Sequence, residues 1–234
     1  MIKSSFFAAT LVLSFAASLA AHPNSQPDFL RAYVHSLILA SEANRPFDTL
    51  PHYETGSREQ IAAFADSSKS ARATLTRAID EIAPFTASVN QKIAGSATLV
   101  KGALETRIKL CDGWLAAYEE MSKPDGDQEA VTKRIAALRG DITKAGEDIG
   151  ESAIDAVWAI VKIDARGRPQ QWAVTWGERR AAQKELRTAF GEDIGKGPKP
   201  GQNYVQTAAA AFCRFLGEPG FAFLPRVSSY KSQR

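Results

Sequence analysis

Two long apolar stripes, joined by one short polar turn, constrain this chain more than any other feature. Phe85, Val89, Ile93, Ser96, Val100, Leu104, Ile108, Cys111, Leu115 and Tyr118 recur every three or four residues. Val131, Ile135, Leu138, Ile142, Ala145, Ile149, Ala153, Ala156 and Ile160 do the same. That step matches the turn of an α-helix and keeps each stripe on one face of a nearly straight rod. Between the stripes, SKPDGD at 122–127 supplies turn residues, and Asp127 can cap the helix that follows. Two such helices fold back as an antiparallel, coiled-coil-like hairpin with arms roughly 50 Å long.

The remaining segments must cover that hairpin. Alanine is abundant and β-branched runs are few, which favours helix. Residues 28–43 read as a first helix, closed by Asn44 and Pro46. Ser57 with Gln60 forms a capping-box pattern ahead of Ile61, Phe64, Leu75, Ile79 and Ile82. Pro84 should stop or kink that second helix, because it lacks an amide and crowds the turn before it. Residues 204–216 form a last, strongly apolar helix, and 217–234 an irregular tail. Residues 161–176 read two ways. A turn at 165–169 could close a small β-hairpin, or Pro169 could open a helix running through Phe190. The helix is favoured, because 178–189 is rich in strong helix formers. The expected fold is all-α: an elongated hairpin packed with N-terminal and C-terminal helices into one bundle over residues 21–216.

The first twenty residues give an address. Lys3 is followed by the uncharged run FFAATLVL and then by Ser18-Leu19-Ala20, the order of a secretory signal peptide over 1–20. That run is too short to span a bilayer, which takes about 20 apolar residues, and no later stretch is long enough either. Cleavage would leave about 213 residues, exported to a periplasm or secreted. The four asparagines after the signal lack a Ser or Thr two places on, which favours a bacterial envelope over a glycosylating route. The formal charge of +3 is spread without a basic block, so a phosphate backbone is not the expected partner.

Several chemistries lack their residues. The three histidines all lie at or before His52, and no zinc, haem-attachment or metalloprotease spacing includes them. His35, within the first helix, reads as a structural residue. Residues 125–136 open like a calcium loop, but Ala130 stands where glycine is wanted and Ala136 where a bidentate Glu should be. There is no nucleophile elbow and no phosphate-cradling glycine loop. No cofactor is expected. Glu119–Glu120 and Glu147–Asp148 are the carboxylate pairs that acid–base work on a glycan would need.

The pentapeptide GEDIG occurs at 146–150 and again at 191–195. A true repeat would carry its flanks, and these differ. The second copy reads as a helix stop at Gly191; the first puts two glycines one turn apart, where a neighbour can approach or the helix can bend. On the third helix, Gly95, Gly102 and Gly113 share the side opposite the stripe, where close packing of another helix is expected.

Two site expectations remain. Trp172 and Trp176 lie close in sequence to Arg179 and Arg180, and tryptophan with arginine is the composition of protein-binding hot spots. These four residues are the expected binding centre of a non-catalytic adaptor, inhibitor or immunity-type protein, whose partner is a protein or envelope polymer. The alternative is an envelope hydrolase using a carboxylate pair. Finally, Cys111 and Cys213 are the whole cysteine complement of an exported chain, and a disulfide between them is expected if the last helix docks across the hairpin.

Overall fold

Side-chain caps set where the helices begin. In the computed structural model, which describes residues 23–50 and 57–219, α1 (Gln26–Asp48) starts at Ser25 and α2 (Arg58–Ile82) at the Ser57–Gln60 capping box. Asn90 caps α3 (Gln91–Met121), and Asp127 caps α4 (Gln128–Ala159) by accepting from the Ala130 amide. Reciprocal boxes open α5 (Trp176–Phe190) at Thr175–Glu178 and α6 (Tyr204–Gly217) at Asn203–Gln206. Each cap satisfies amides that the first turn leaves without partners. The expected signal segment 1–20 and all but the start of the tail 217–234 lie outside the described residues.

Consecutive helices α1 to α4 pack side by side, and α6 lies on α4 with α5 against α6 and α1. The fold is an all-α bundle, as the sequence implies. The long hairpin is α3 and α4. Its register follows from Ser96, whose Oγ donates to the Ser152 carbonyl at 2.9 Å, and from Gly113, which faces Leu138 and Ile135. Interpolation puts Val100 and Leu104 level with the stretch between Lys144 and Asp148, as the two stripes require. Lys92 and Asp155 tie the open end at 2.8 Å.

α3 is buried on more than one face, because α2 covers one side and α4 another. Close packing explains two of its three glycines. A Cβ at Gly95 would meet Asp155 Oδ2 at 3.1 Å, and one at Gly113 would overlap Leu138 at 2.7 Å, whereas Gly102 faces open space.

The main core centres on Phe29, Tyr33, Phe85 and Phe212, all fully buried. Tyr33 sets its ring 4.9 Å from Phe212, and its hydroxyl lies 3.1 Å from Ser152 Oγ, so α1, α4 and α6 meet there. A smaller second core occupies the turn end of the hairpin: Ile61, Phe64, Trp114, Ala117, Met121, Val131 and Ile135.

The structure corrects four expectations. α1 does not end at Asn44; it runs through Pro46 to Asp48. A proline so near the C-terminus removes one helical hydrogen bond without breaking a long ladder. Second, the stripe beginning at Phe85 is not one helix. Pro84 ends α2 at Ile82 and opens a 3-10 turn (Ala83–Ala87), and Val89 is left 84% exposed before Asn90 starts α3.

Third, residues 161–172 are a β-hairpin and not the start of a helix. β1 (Val161–Ile163) pairs antiparallel with β2 (Pro169–Trp172), and the helix waits for the Thr175 cap. Asp164 organises the turn: its carboxylate accepts from the Arg166 and Arg168 amides at 2.9 and 2.8 Å, and Gly167 takes φ +73°. The Arg168 amide in particular holds the Asp164 carboxyl below its usual range.

Fourth, Cys111 and Cys213 are not joined; both are buried free thiols. α6 docks on α4 and α5, not across α3. Cys111 faces Ser68 and Arg72 of α2, while Cys213 points its sulfur at the Gln183 carbonyl of α5 at 3.9 Å.

Candidate functional site

The four residues expected as a binding centre divide into two pairs. Trp172, at the end of β2, is half-buried and packs its ring 4.8 Å from Phe215 of α6. Arg179 lies over that ring, 4.1 Å from its centre, and donates from Nη1 to the Leu216 carbonyl at 3.1 Å. Burial lowers the Arg179 pKa from its ordinary value. This pair fastens the β-hairpin and α5 to α6.

Trp176 and Arg180 face outward. Trp176 is 64% exposed at the first position of α5, and the Arg180 guanidinium sits 4.9 Å from its ring centre. The capping box fixes the backbone from which the indole projects, since Glu178 Oε2 accepts from the Thr175 amide at 2.7 Å. Trp158 and Trp114 are buried at 7% and 4%, so Trp176 is the tryptophan that offers its face to solvent. An exposed indole braced by a cation loses little conformational freedom on binding, which is the economy of a hot spot.

Neither carboxylate pair from the sequence lines either of the two best-formed cavities. Glu119 and Glu120 lie on the outer surface of α3, with Glu120 bound to Lys123 at 2.6 Å. Glu147 is exposed, and Asp148 is held by Lys144 at 2.9 Å. The two best-formed cavities are elsewhere. One is an open groove of about 720 Å³ between α1, α2 and α5, where His35 Nδ1 lies 3.0 Å from Glu81 and its Nε2 3.9 Å from Glu185. His35 of α1 thus lies between a carboxylate of α2 and one of α5.

The second is a cleft of about 630 Å³ lying where the two cores meet. Phe47, Phe64 and Trp114 stack in sequence along it, with ring centres 5.9 and 4.5 Å apart and planes within 24° and 15°. Arg107, Asn44, Asp48 and Asn203 supply its polar lining, with Arg107 Nη1 donating to Asn44 Oδ1. Sequence reasoning passed over this cleft. Its one signal was an arginine three residues after Leu104 and four before Cys111, at stripe spacing.

The first GEDIG copy proves to be a docking point. A Cβ on Gly146 would stand 2.2 Å from the Tyr204 ring, so the glycine admits the first turn of α6 against α4. The second copy ends α5: Gly191 takes φ +95° after Phe190, and its neighbours form a 3-10 turn (Glu192–Lys196). No cluster of three or more metal-ligating side chains occurs among the described residues, and no helix among them is long and apolar enough to cross a membrane. Compared with protein families, curated proteins and solved structures, the chain finds no match.

Proposed function

We propose that this is an exported, non-catalytic binding protein that engages a protein or polymer of the cell envelope through the outer face of α5. The observation that carries the reading is Trp176, a large aromatic side chain 64% exposed, fixed at a capped helix start and flanked by Arg180. Tryptophan and arginine are enriched among the few residues that carry most of the binding energy of protein interfaces. Trp172 and Arg179 support the face from below by tying it to α6. Export rests on the signal pattern at 1–20.

The test is affinity capture from an envelope extract with the mature protein and with Trp176→Ala and Arg180→Ala. The reading requires a stoichiometric partner that both variants lose while their melting temperatures stay within a degree or two of wild type. Undiminished capture by Trp176→Ala would overturn it. Fractionation and the mass of the mature N-terminus test the export separately.

A further inference from the structure

No long run of cations marks this sequence, yet its positive charge is not spread evenly. Residues 161–184, the β-hairpin and the start of α5, hold Lys162, Arg166, Arg168, Arg179, Arg180 and Lys184. Against these six cations stand two carboxylates, Asp164 and Glu178, a surplus of four where the whole chain has +3. Both carboxylates are engaged within the fold. Asp164 holds the Arg168 amide at 2.8 Å and its guanidinium at 2.9 Å, and Glu178 belongs to the Thr175 capping box. Lys162, Arg166, Arg180 and Lys184 are exposed and, among the described residues, have no carboxylate partner.

The exposed residues of α5 are Trp176, Gly177, Arg180, Ala181, Lys184 and Thr188, and none is acidic. Steps of three and four residues put them on one face, with Trp176, Arg180 and Lys184 in a single row. Beyond Lys184 this face meets the groove between α1, α2 and α5. There Glu42, Glu81 and Glu185 stand among Arg45, Arg77 and His35, and the cationic surface ends. Beside Arg179, Glu218 is turned to Arg214 at 3.6 Å.

We propose that the partner of the Trp176 face is a protein presenting an acidic segment, an inference that rests on the reading of that face as a binding surface. Its carboxylates would lie on Arg180 and the cations around it, and an apolar side chain on the indole. The Arg180 guanidinium stands 4.9 Å from the Trp176 ring centre, so a carboxylate on its fork brings the neighbouring side chain over the indole. Exposed cations without counter-charges steer an acidic partner inward and repel a basic one. The same charge opposes face-to-face pairing of two copies, which would set Arg180 and Lys184 against their equivalents. A bilayer surface calls for a continuous apolar stripe. Here Ala182 and Leu186 turn inward, and Trp176 is the one large apolar side chain that α5 exposes.

A phage library of random linear peptides, panned on the mature protein and counter-selected on Trp176→Ala, tests this. Peptides that need Trp176 should carry Asp and Glu next to a large apolar residue. A synthetic peptide of that consensus should shift the indole emission to the blue. Its affinity should fall about tenfold on Arg180→Gln, the scale of one charge-assisted hydrogen bond, less on Arg180→Lys and more on Arg180→Glu. Raising the salt should weaken it further, while the melting temperatures of these surface variants hold. Trp176-dependent peptides without acidic residues, or equal affinity of wild type and Arg180→Glu, would overturn the proposal and leave the binding face standing. Trp176-dependent binding to phosphatidylglycerol vesicles in place of peptides, or self-association lost in Trp176→Ala, would overturn it equally. If no Trp176-dependent peptide emerges, the acidic segment is refuted, while the face as such is judged by capture from envelope extract.

Discussion

Leu104 and Val89 sit on the same sequence stripe, and the structure assigns them opposite energetic fates. Leu104 is fully buried at the middle of α3, while Val89 is 84% exposed in the link before that helix. Leu104→Ala removes apolar surface worth about 0.8 kcal/mol for each of its lost carbons, or roughly 2.4 kcal/mol in transfer alone. The void adds to this at about 24 cal/mol per Å³, so roughly 50 Å³ left unfilled contributes about 1.2 kcal/mol more. Collapse into the gap is resisted, because α3 is flanked by α2 and α4 and its neighbours are already packed. The expected cost is therefore about 3–4 kcal/mol, with a fall in melting temperature of roughly 6–16 °C for a domain of this size. Val89→Ala should cost less than about 0.5 kcal/mol, as surface changes do. Urea titration followed by far-UV circular dichroism measures both. A Leu104→Ala cost below about 1 kcal/mol, or a Val89→Ala cost above it, would refute the boundary at Asn90 and the packing of the α3–α4 hairpin.

Three further outcomes are expected. Within the first GEDIG copy, Gly146→Ala should destabilise by about 1–3 kcal/mol by pushing Tyr204 off α4. Gly150→Ala, which faces open space, should stabilise by roughly 0.5–1 kcal/mol; equal effects would show that Tyr204 does not seat on Gly146. Thiol labelling of denatured, unreduced protein should find both Cys111 and Cys213 reactive, and a disulfide-linked mass would contradict their separate placement. Alkaline titration should weaken the fold. Burial raises the Cys111 pKa from 9.0 to about 11, so its contribution is whole below pH 9 and is lost as pH rises through about 11. Tyr33, raised further by burial, acts in the same direction at higher pH. Cys111→Ala should flatten the lower part of that decline in stability measured against pH.

What could be read from the sequence was what depends on neighbours along the chain. The caps at Ser57 and Asp127 were legible because a cap needs only a side-chain oxygen and an amide two or three residues on. The α4 stripe and the α3 stripe as far as Cys111 were legible because burial repeats with the helix turn; beyond Cys111 the buried face of α3 passes to Trp114, Ala117 and Met121 and leaves Tyr118 41% exposed. The limits of the stripes were not: periodicity carries through Pro84 and Val89 without a break, and only the Asn90 side chain, bonding the Lys92 amide at 3.0 Å, marks where α3 begins. The hairpin at 161–172 is faint in the sequence because three or four alternating residues carry little signal beside the helix formers that follow Thr175.

Tertiary contacts decided the rest. Even cysteine number and an export signal argue for pairing, but they say nothing about which face of α3 receives α6, and the answer is neither, since α6 takes α4. The Trp–Arg cluster was found as a composition, yet composition cannot tell Trp172, which turns into Phe215, from Trp176, which turns out to solvent. Arg107 is the most instructive omission. A stripe drawn through apolar residues alone steps from Leu104 to Ile108 to Cys111 and skips the residue between them. In space, Arg107 and Ile108 are both partly buried, and Arg107 reaches the junction of the two cores beside Phe64 and Trp114. A charge at a stripe position is a departure from the pattern that built the fold, and departures of that kind are where function is to be sought.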